Sequence, residues 1–199
     1  MNTTDNLAKR VRVLIPFLKL KQVRKVLQFA GSPESVAIFC NEGFEVSVAA
    51  ESERLDEIRS HLSSKDYAVE YIELKLQKSG KLSGLPDKAF DFLLAYNEVY
   101  KYLLEDMKAR LSSLIAALRE DGFFYITFIS TKHKDFQKGE EIASDTFKFN
   151  DQIRFFCDAA FLVPFFKHLE VIDLRNEEQD VEKSFHWHVL GRKRDMNPE

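Results

Sequence analysis

The strongest constraint in this sequence is an alternation: short β-rich runs trade places with helical ones through five strands, and two further β-rich runs close the chain with no helix between them. Residues 23–29 read as the first strand. In "SPESVAIFCNEG" Ser32 is placed to cap a helix, Pro33 suits its first position and Gly43 stops it. "FEVSVA" is the second strand, "SERLDEIRSHL" a helix capped by Ser52, and "VEYIEL" the third strand. Residues 77–88 carry the breakers Gly80, Gly84 and Pro86 and read as loop. "FDFLLAY" is an unbroken apolar run, as in a strand buried on both faces. The next helix, residues 105–122, puts Met107, Leu111, Leu114, Ile115 and Leu118 on one face with Gly122 after its end. "FFYITFIS" is the fifth strand; a polar stretch over 131–150 leads to a helix around 151–166, then to "LEVIDL" and "WHVLGRK".

Such alternation argues for an α/β fold: a mostly parallel, seven-stranded sheet with an antiparallel C-terminal hairpin and helices on both faces. Residues 1–22 form a helical segment ahead of a single domain over 23–199, and Pro16 interrupts or restarts that helix. In sheets of this kind ligands sit beyond the carboxyl ends of the strands. That directs attention to residues 29–34, 49–51, 74–76, 95–100 and onward from Ser130.

Charge narrows the partners. Lys and Arg total 29 against 32 Asp and Glu, a net charge of −3, so the chain has no electrostatic footprint for nucleic acid. The basic N-terminal residues Lys9, Arg10, Arg12, Lys19 and Lys21 read as the solvated face of an amphipathic helix. The longest uncharged apolar run, residues 159–166, is far below the roughly 20 residues that span a bilayer, so no membrane association is expected. The charged N-terminus does not read as an export signal, and Cys40 and Cys157, each in a segment that reads as helix, suit buried free thiols in a reducing cytoplasm.

The segment "DKAFDFLLAYNEVYKYLLEDMKARLSSLIAALREDGFFYITFIS" and the ending "IRFFCDAAFLVPFFKHLEVIDLRNEE…FHWHVLGRK" resemble the fourth strand, long helix, fifth strand, last helix and final hairpin of small class I methyltransferases, the S-adenosylmethionine-dependent family. The resemblance covers about residues 23–193 and implies a Rossmann-like methyltransferase fold, S-adenosylmethionine as cofactor and a small-molecule methyl acceptor. It places Phe29, Ala30, Gly31, Ser32, Glu51, Tyr96 and Asn97 around the cofactor, and Tyr100, Phe147 and Phe149 beside the substrate.

The cofactor motifs depart from the family's. Where the first strand should end in D-x-G-x-G-x-G, this chain has "QFAGSPE": Gln28 stands for the acid and Ala30, Ser32 and Glu34 for the glycines, with Gly31 between. Ala50 occupies the place of the ribose-binding acid, with Glu51 one residue later, and Lys75 replaces the acid expected near the adenine amine. Two functions follow: a divergent methyltransferase, or a non-catalytic methyltransferase-like protein whose fold serves a protein partner, a second copy of itself or another ligand.

Other chemistry is sparse. Strand alternation puts His186 and His188 on one face and Trp187 on the other, but no third ligand has suitable spacing, and no metal is expected. No catalytic residue can be named. The 18 phenylalanines read mainly as core, and the charged loop around 131–148 reads as either a substrate lid or a mobile surface loop.

Overall fold

The computed structural model describes residues 3–179 and 181–194. Its elements are α1 (Thr3–Leu20), β1 (Lys25–Phe29), α2 (Pro33–Asn41), β2 (Glu45–Ala50), α3 (Ser52–Leu62), β3 (Val69–Glu73), β4 (Lys75–Leu76), β5 (Leu82–Ser83), β6 (Phe90–Ala95), a 3-10 turn (Val99–Lys101), α4 (Leu104–Ala116), β7 (Leu118–Ser130), β8 (Glu140–Ala143), β9 (Thr146–Phe149), β10 (Gln152–Cys157), α5 (Ala159–Phe165), β11 (Leu169–Glu178) and β12 (Phe185–Lys193).

Among the described residues the sheet has ten strands rather than the expected seven: the seven run in the order β3-β2-β1-β6-β7-β12-β11, and β10, β9 and β8 extend it from β7. The first five are mutually parallel; β12 runs antiparallel between β7 and β11. Alternation along each strand sends side chains to two cores. Val26, Phe92 and Phe123 face Val11, Leu18, Val36, Phe39 and Ile58 of α1, α2 and α3. Their neighbours Leu27, Leu93 and Phe124 face Met107, Leu111, Leu114 and Leu162 of α4 and α5. Helices thus cover both faces.

Four local readings are corrected. α1 runs unbroken through Pro16, because Pro16 and Arg12 both lie on the solvent side, where water can satisfy the carbonyl that loses its partner. α4 ends at Ala116; Leu118 belongs to β7, paired with Phe90, and Asp121–Gly122 lies in an irregularity of that ladder rather than after a helix. Residues 77–88 are not all loop, since Leu82–Ser83 pairs with Lys75–Leu76 in a small hairpin. The helix expected around 151–166 is confined to Ala159–Phe165, capped by Asp158 accepting the Phe161 N–H (2.9 Å).

Before that cap the chain is β. The strands β8, β9 and β10 form an antiparallel meander, and β10 continues the sheet along the upper end of β7, with Phe156 opposite Ile129 and Cys157 opposite Ser130. Cys157 therefore ends a strand, while Cys40 lies in α2; both are free thiols. Among the described residues no helix is long and apolar enough to cross a membrane.

At the opposite end of the sheet Asp91 ties two strands together. Its carboxylate accepts the backbone N–H groups of Arg24 (2.8 Å) and Lys25 (2.9 Å) and pairs with Arg119. Burial alone would raise its pKa; these donors outweigh it and hold the carboxyl below its usual value.

Candidate ligand site

The turn after β1 is built around one buried amide. Gln28 is fully buried, its Oε1 accepting from Ser35 Oγ (2.6 Å) and its Nε2 without a partner. A Cβ on Gly31 would meet Gln28 Oε1 at 2.4 Å, so glycine is kept there because the amide fills the space beneath the turn. Ala30 takes φ +49°, a left-handed conformation unfavourable for a residue with a Cβ, and donates its N–H to Ala49 O (2.9 Å). Ser32 caps α2 reciprocally with Ser35, each Oγ accepting the other's backbone N–H at 3.2 Å. Arg54 reaches from α3 to donate to Gly31 O (3.0 Å) while pairing with Glu57 (2.5 Å).

Three adjoining cavities open above the strands' carboxyl ends. The first, about 370 Å³, has apolar walls of Phe29, Leu74, Leu76 and Leu82, and is rimmed by Ala50, Glu51, Arg54, Glu98, Lys101 and Arg110. The second, about 460 Å³, shares Ala30, Arg54, Glu98 and Lys101 with it and adds Ser32, Glu34, Tyr96, Asn97 and, from α1, Leu7. The third, about 590 Å³, shares Glu51, Lys101 and Tyr102 with the first and Asn97 and Tyr100 with the second, and reaches His133, Arg154 and His186. Volumes of this size suit small organic ligands.

Of the ten residues expected around a ligand, seven line these cavities: Phe29 and Ala30 in the first, Ser32, Tyr96, Asn97 and Tyr100 in the second, and Glu51 where first and third meet. Gly31 does not line them; its carbonyl accepts from Arg54, which does. Phe147 and Phe149 do not reach them: both pack against Phe156 (5.8 and 6.3 Å) inside the meander, because β9 turns these rings toward β10. Ser52 does not cap α3. Glu51 holds the cap position and makes no capping hydrogen bond, leaving its carboxylate free for the cavity. Lys75 is exposed and does not line the first cavity; its neighbours do, Leu74 buried and Leu76 at the exposed rim. Glu34 is exposed at the mouth of the second cavity.

The third cavity contains neutral imidazoles. His186 Nδ1 faces Ser184 O (3.2 Å), which only accepts, so Nδ1 carries the proton and Nε2 accepts from Tyr100 OH (3.4 Å). His133 Nδ1 accepts the Asp135 N–H (3.1 Å), which puts its proton on Nε2, toward Ser184 Oγ (3.1 Å). Burial pushes His186 down to about 3 and lowers His133 as well. Arg154 pairs with Asp135 at 2.6 Å along the same wall. His188 lies deeper on the face of β12, bound to Tyr125 OH through Nδ1 (2.7 Å). Among the described residues no three His, Cys, Asp or Glu groups converge to hold a metal ion.

Sequence reasoning missed Arg54, Glu98, Lys101, Arg110 and His133. Arg110 was legible: Met107, Arg110, Leu111 and Leu114 follow the i, i+3, i+4, i+7 spacing of a buried face, which puts one charge where an apolar residue belongs. His133 carried no local signal.

No family model matches the chain, and no curated protein matches it. Solved structures do. A methyltransferase from Clostridium acetobutylicum, S-adenosylmethionine-dependent, superimposes with a TM-score of 0.70 at 13% identity, over 93% of this chain and 91% of its own. The fold is that of the class I methyltransferases. A protein of Pyrococcus horikoshii gives 0.70 at 17% identity, covering 94% and 90%. The 1,6-didemethyltoxoflavin N1-methyltransferase of Burkholderia thailandensis, crystallised with S-adenosylhomocysteine, gives 0.66 at 14% identity, covering 93% and 78%.

Proposed function

We propose that this protein binds the adenosyl group of S-adenosylmethionine in the first two cavities and transfers its methyl group to a small molecule held in the third. The observation that carries this reading is Glu51: its uncapped carboxylate stands at the junction of the first and third cavities, one residue beyond the β2 end where the family's acid is expected. The residues present fit an adenosyl group in shape and in donor set, with an apolar slot between Phe29, Leu74 and Leu82 for a flat ring and a carboxylate to accept ribose hydroxyls.

When bound, the cofactor supplies an electrophilic methyl group. The chain's own residues position and exclude. Tyr96 and Asn97 follow β6 and border the second cavity; Asn97 is held rigidly, its N–H on Thr127 Oγ1 (2.7 Å) and its Oδ1 accepting from the same hydroxyl (3.0 Å). Tyr100, oriented by the neutral Nε2 of His186, presents a hydroxyl to the acceptor's proton-bearing atom. The reaction needs alignment above all, since transfer to a nucleophilic nitrogen, oxygen or sulfur gains most from a near-attack geometry.

The test is calorimetric titration with S-adenosylhomocysteine against wild type and Glu51→Ala. The expected result is saturable binding at micromolar concentration, weakened about tenfold to a hundredfold by the loss of charged hydrogen bonds. A second reading, a non-catalytic binding module of the cytoplasm, is favoured by one observation: Arg54 occupies the Gly31 carbonyl at the turn where the family's cofactor approaches backbone. Absence of binding at millimolar S-adenosylhomocysteine selects it.

A further inference from the structure

The first cavity contains a buried cation that no described residue pairs with. Arg110 is 7% exposed, its Nε is buried without a hydrogen-bond partner, and no ion pair joins its guanidinium to a described carboxylate. Its contact is the ring of Tyr102, over which the guanidinium sits 3.8 Å from the centroid. Burying an unpaired cation is costly, and proteins ordinarily pair such groups. The other charges on this cavity are Arg54, Lys101, Glu51 and Glu98. Arg54 is paired with Glu57, and Lys101 with Glu98 at 2.8 Å. Those pairs leave Arg110 and the carboxylate of Glu51 on the cavity wall, with no ion pair joining the two.

We propose that the first cavity binds an anionic group, a phosphate or carboxylate, seated on Arg110. The planar guanidinium, stacked on Tyr102 and opening into the cavity, offers the fork that such anions take in two parallel hydrogen bonds. The anion is either a substituent of an adenosine-sized ligand or a small free anion bound beside it. This inference rests on the first cavity being a ligand site, as in the proposed function, and is independent of methyl transfer.

The experiment is calorimetric titration of the full chain with adenosine, adenosine monophosphate, inorganic phosphate and S-adenosylhomocysteine, for wild type, Arg110→Gln and Arg110→Met. The expected result is that adenosine monophosphate, or adenosine in the presence of phosphate, binds at least tenfold more tightly than adenosine alone, and that Arg110→Gln abolishes the difference. The first outcome marks a substituent, the second a free anion. Equal affinities, a preference that survives Arg110→Gln, or no binding of any phosphate-containing probe would overturn the proposal. Thermal unfolding guards against a folding artefact: without ligand, Arg110→Met is expected to melt at or above the wild-type temperature, and a lower melting temperature would show that Arg110 serves stability instead. S-adenosylhomocysteine separates the two readings. Its binding without an anion preference overturns only the anion site; an anion preference without its binding overturns only the methyl donor.

Discussion

The two ends of the central sheet are built to opposite standards. At the amino ends of β1 and β6, charges are matched: Asp91 takes two backbone amides and Arg119, and Lys193 donates to Leu118 O (2.7 Å) while pairing with Glu120. At the carboxyl ends, Gln28 and Arg110 keep buried nitrogens without partners, and the packing opens into cavities. The same strands connect the two ends, so fold class does not explain the contrast. One end is satisfied internally; the other leaves groups for something outside the chain to satisfy.

The comparison breaks most readily at the satisfied end. Asp91→Ala leaves two strand-end amides and Arg119 without their acceptor and is expected to cost about 2–3 kcal/mol in urea unfolding. It should leave the affinity for S-adenosylhomocysteine unchanged, and a comparable loss of affinity would show that the two ends are not separable.

Acid sharpens the contrast from the other end. The unfolded imidazole of His186 takes up a proton near pH 6.5, but burial holds the folded one at about 3. Between those values the unfolded state binds more protons, so stability falls as pH is lowered, by up to about 1.4 kcal/mol per pH unit from this group. His188, pushed down to about 4 by burial, adds to the slope over a narrower window. His186→Asn is expected to flatten the profile of unfolding free energy between pH 6.5 and 4, and an unchanged slope would refute the neutral assignment.

The smallest effect concerns the turn. Ala30→Gly removes a Cβ from a φ of +49° and is expected to stabilise by about 1 kcal/mol in the same denaturation assay. A loss of stability would mean that the Ala30 methyl contributes packing worth more than its backbone strain.

The sheet was legible because its signals are local and repeated. Ser32-Pro33 before an apolar run and the alternation of Val26/Leu27 and Phe92/Leu93 each state an element's type without reference to the rest of the chain. The β8–β10 meander was not legible. "QIRFFC" has no strict period, and its strand state is set by pairing with Phe149 through Thr146 and with Ile129 and Ser130. The lining of the cavities was legible where strand ends define it, at Phe29, Ala30, Glu51 and Asn97. Phe147 and Phe149 were misplaced with the meander that carries them. Lys75 shows that a motif position read along the sequence does not fix which way a side chain turns, since one step of strand alternation moves it out of the cavity.

The most direct measurement is a crystal structure of the protein grown with S-adenosylhomocysteine. The account expects the ligand's flat ring between Phe29, Leu74 and Leu82 with its ribose hydroxyls on Glu51. Ligand bound elsewhere, or a first cavity left empty at saturating ligand, would contradict it.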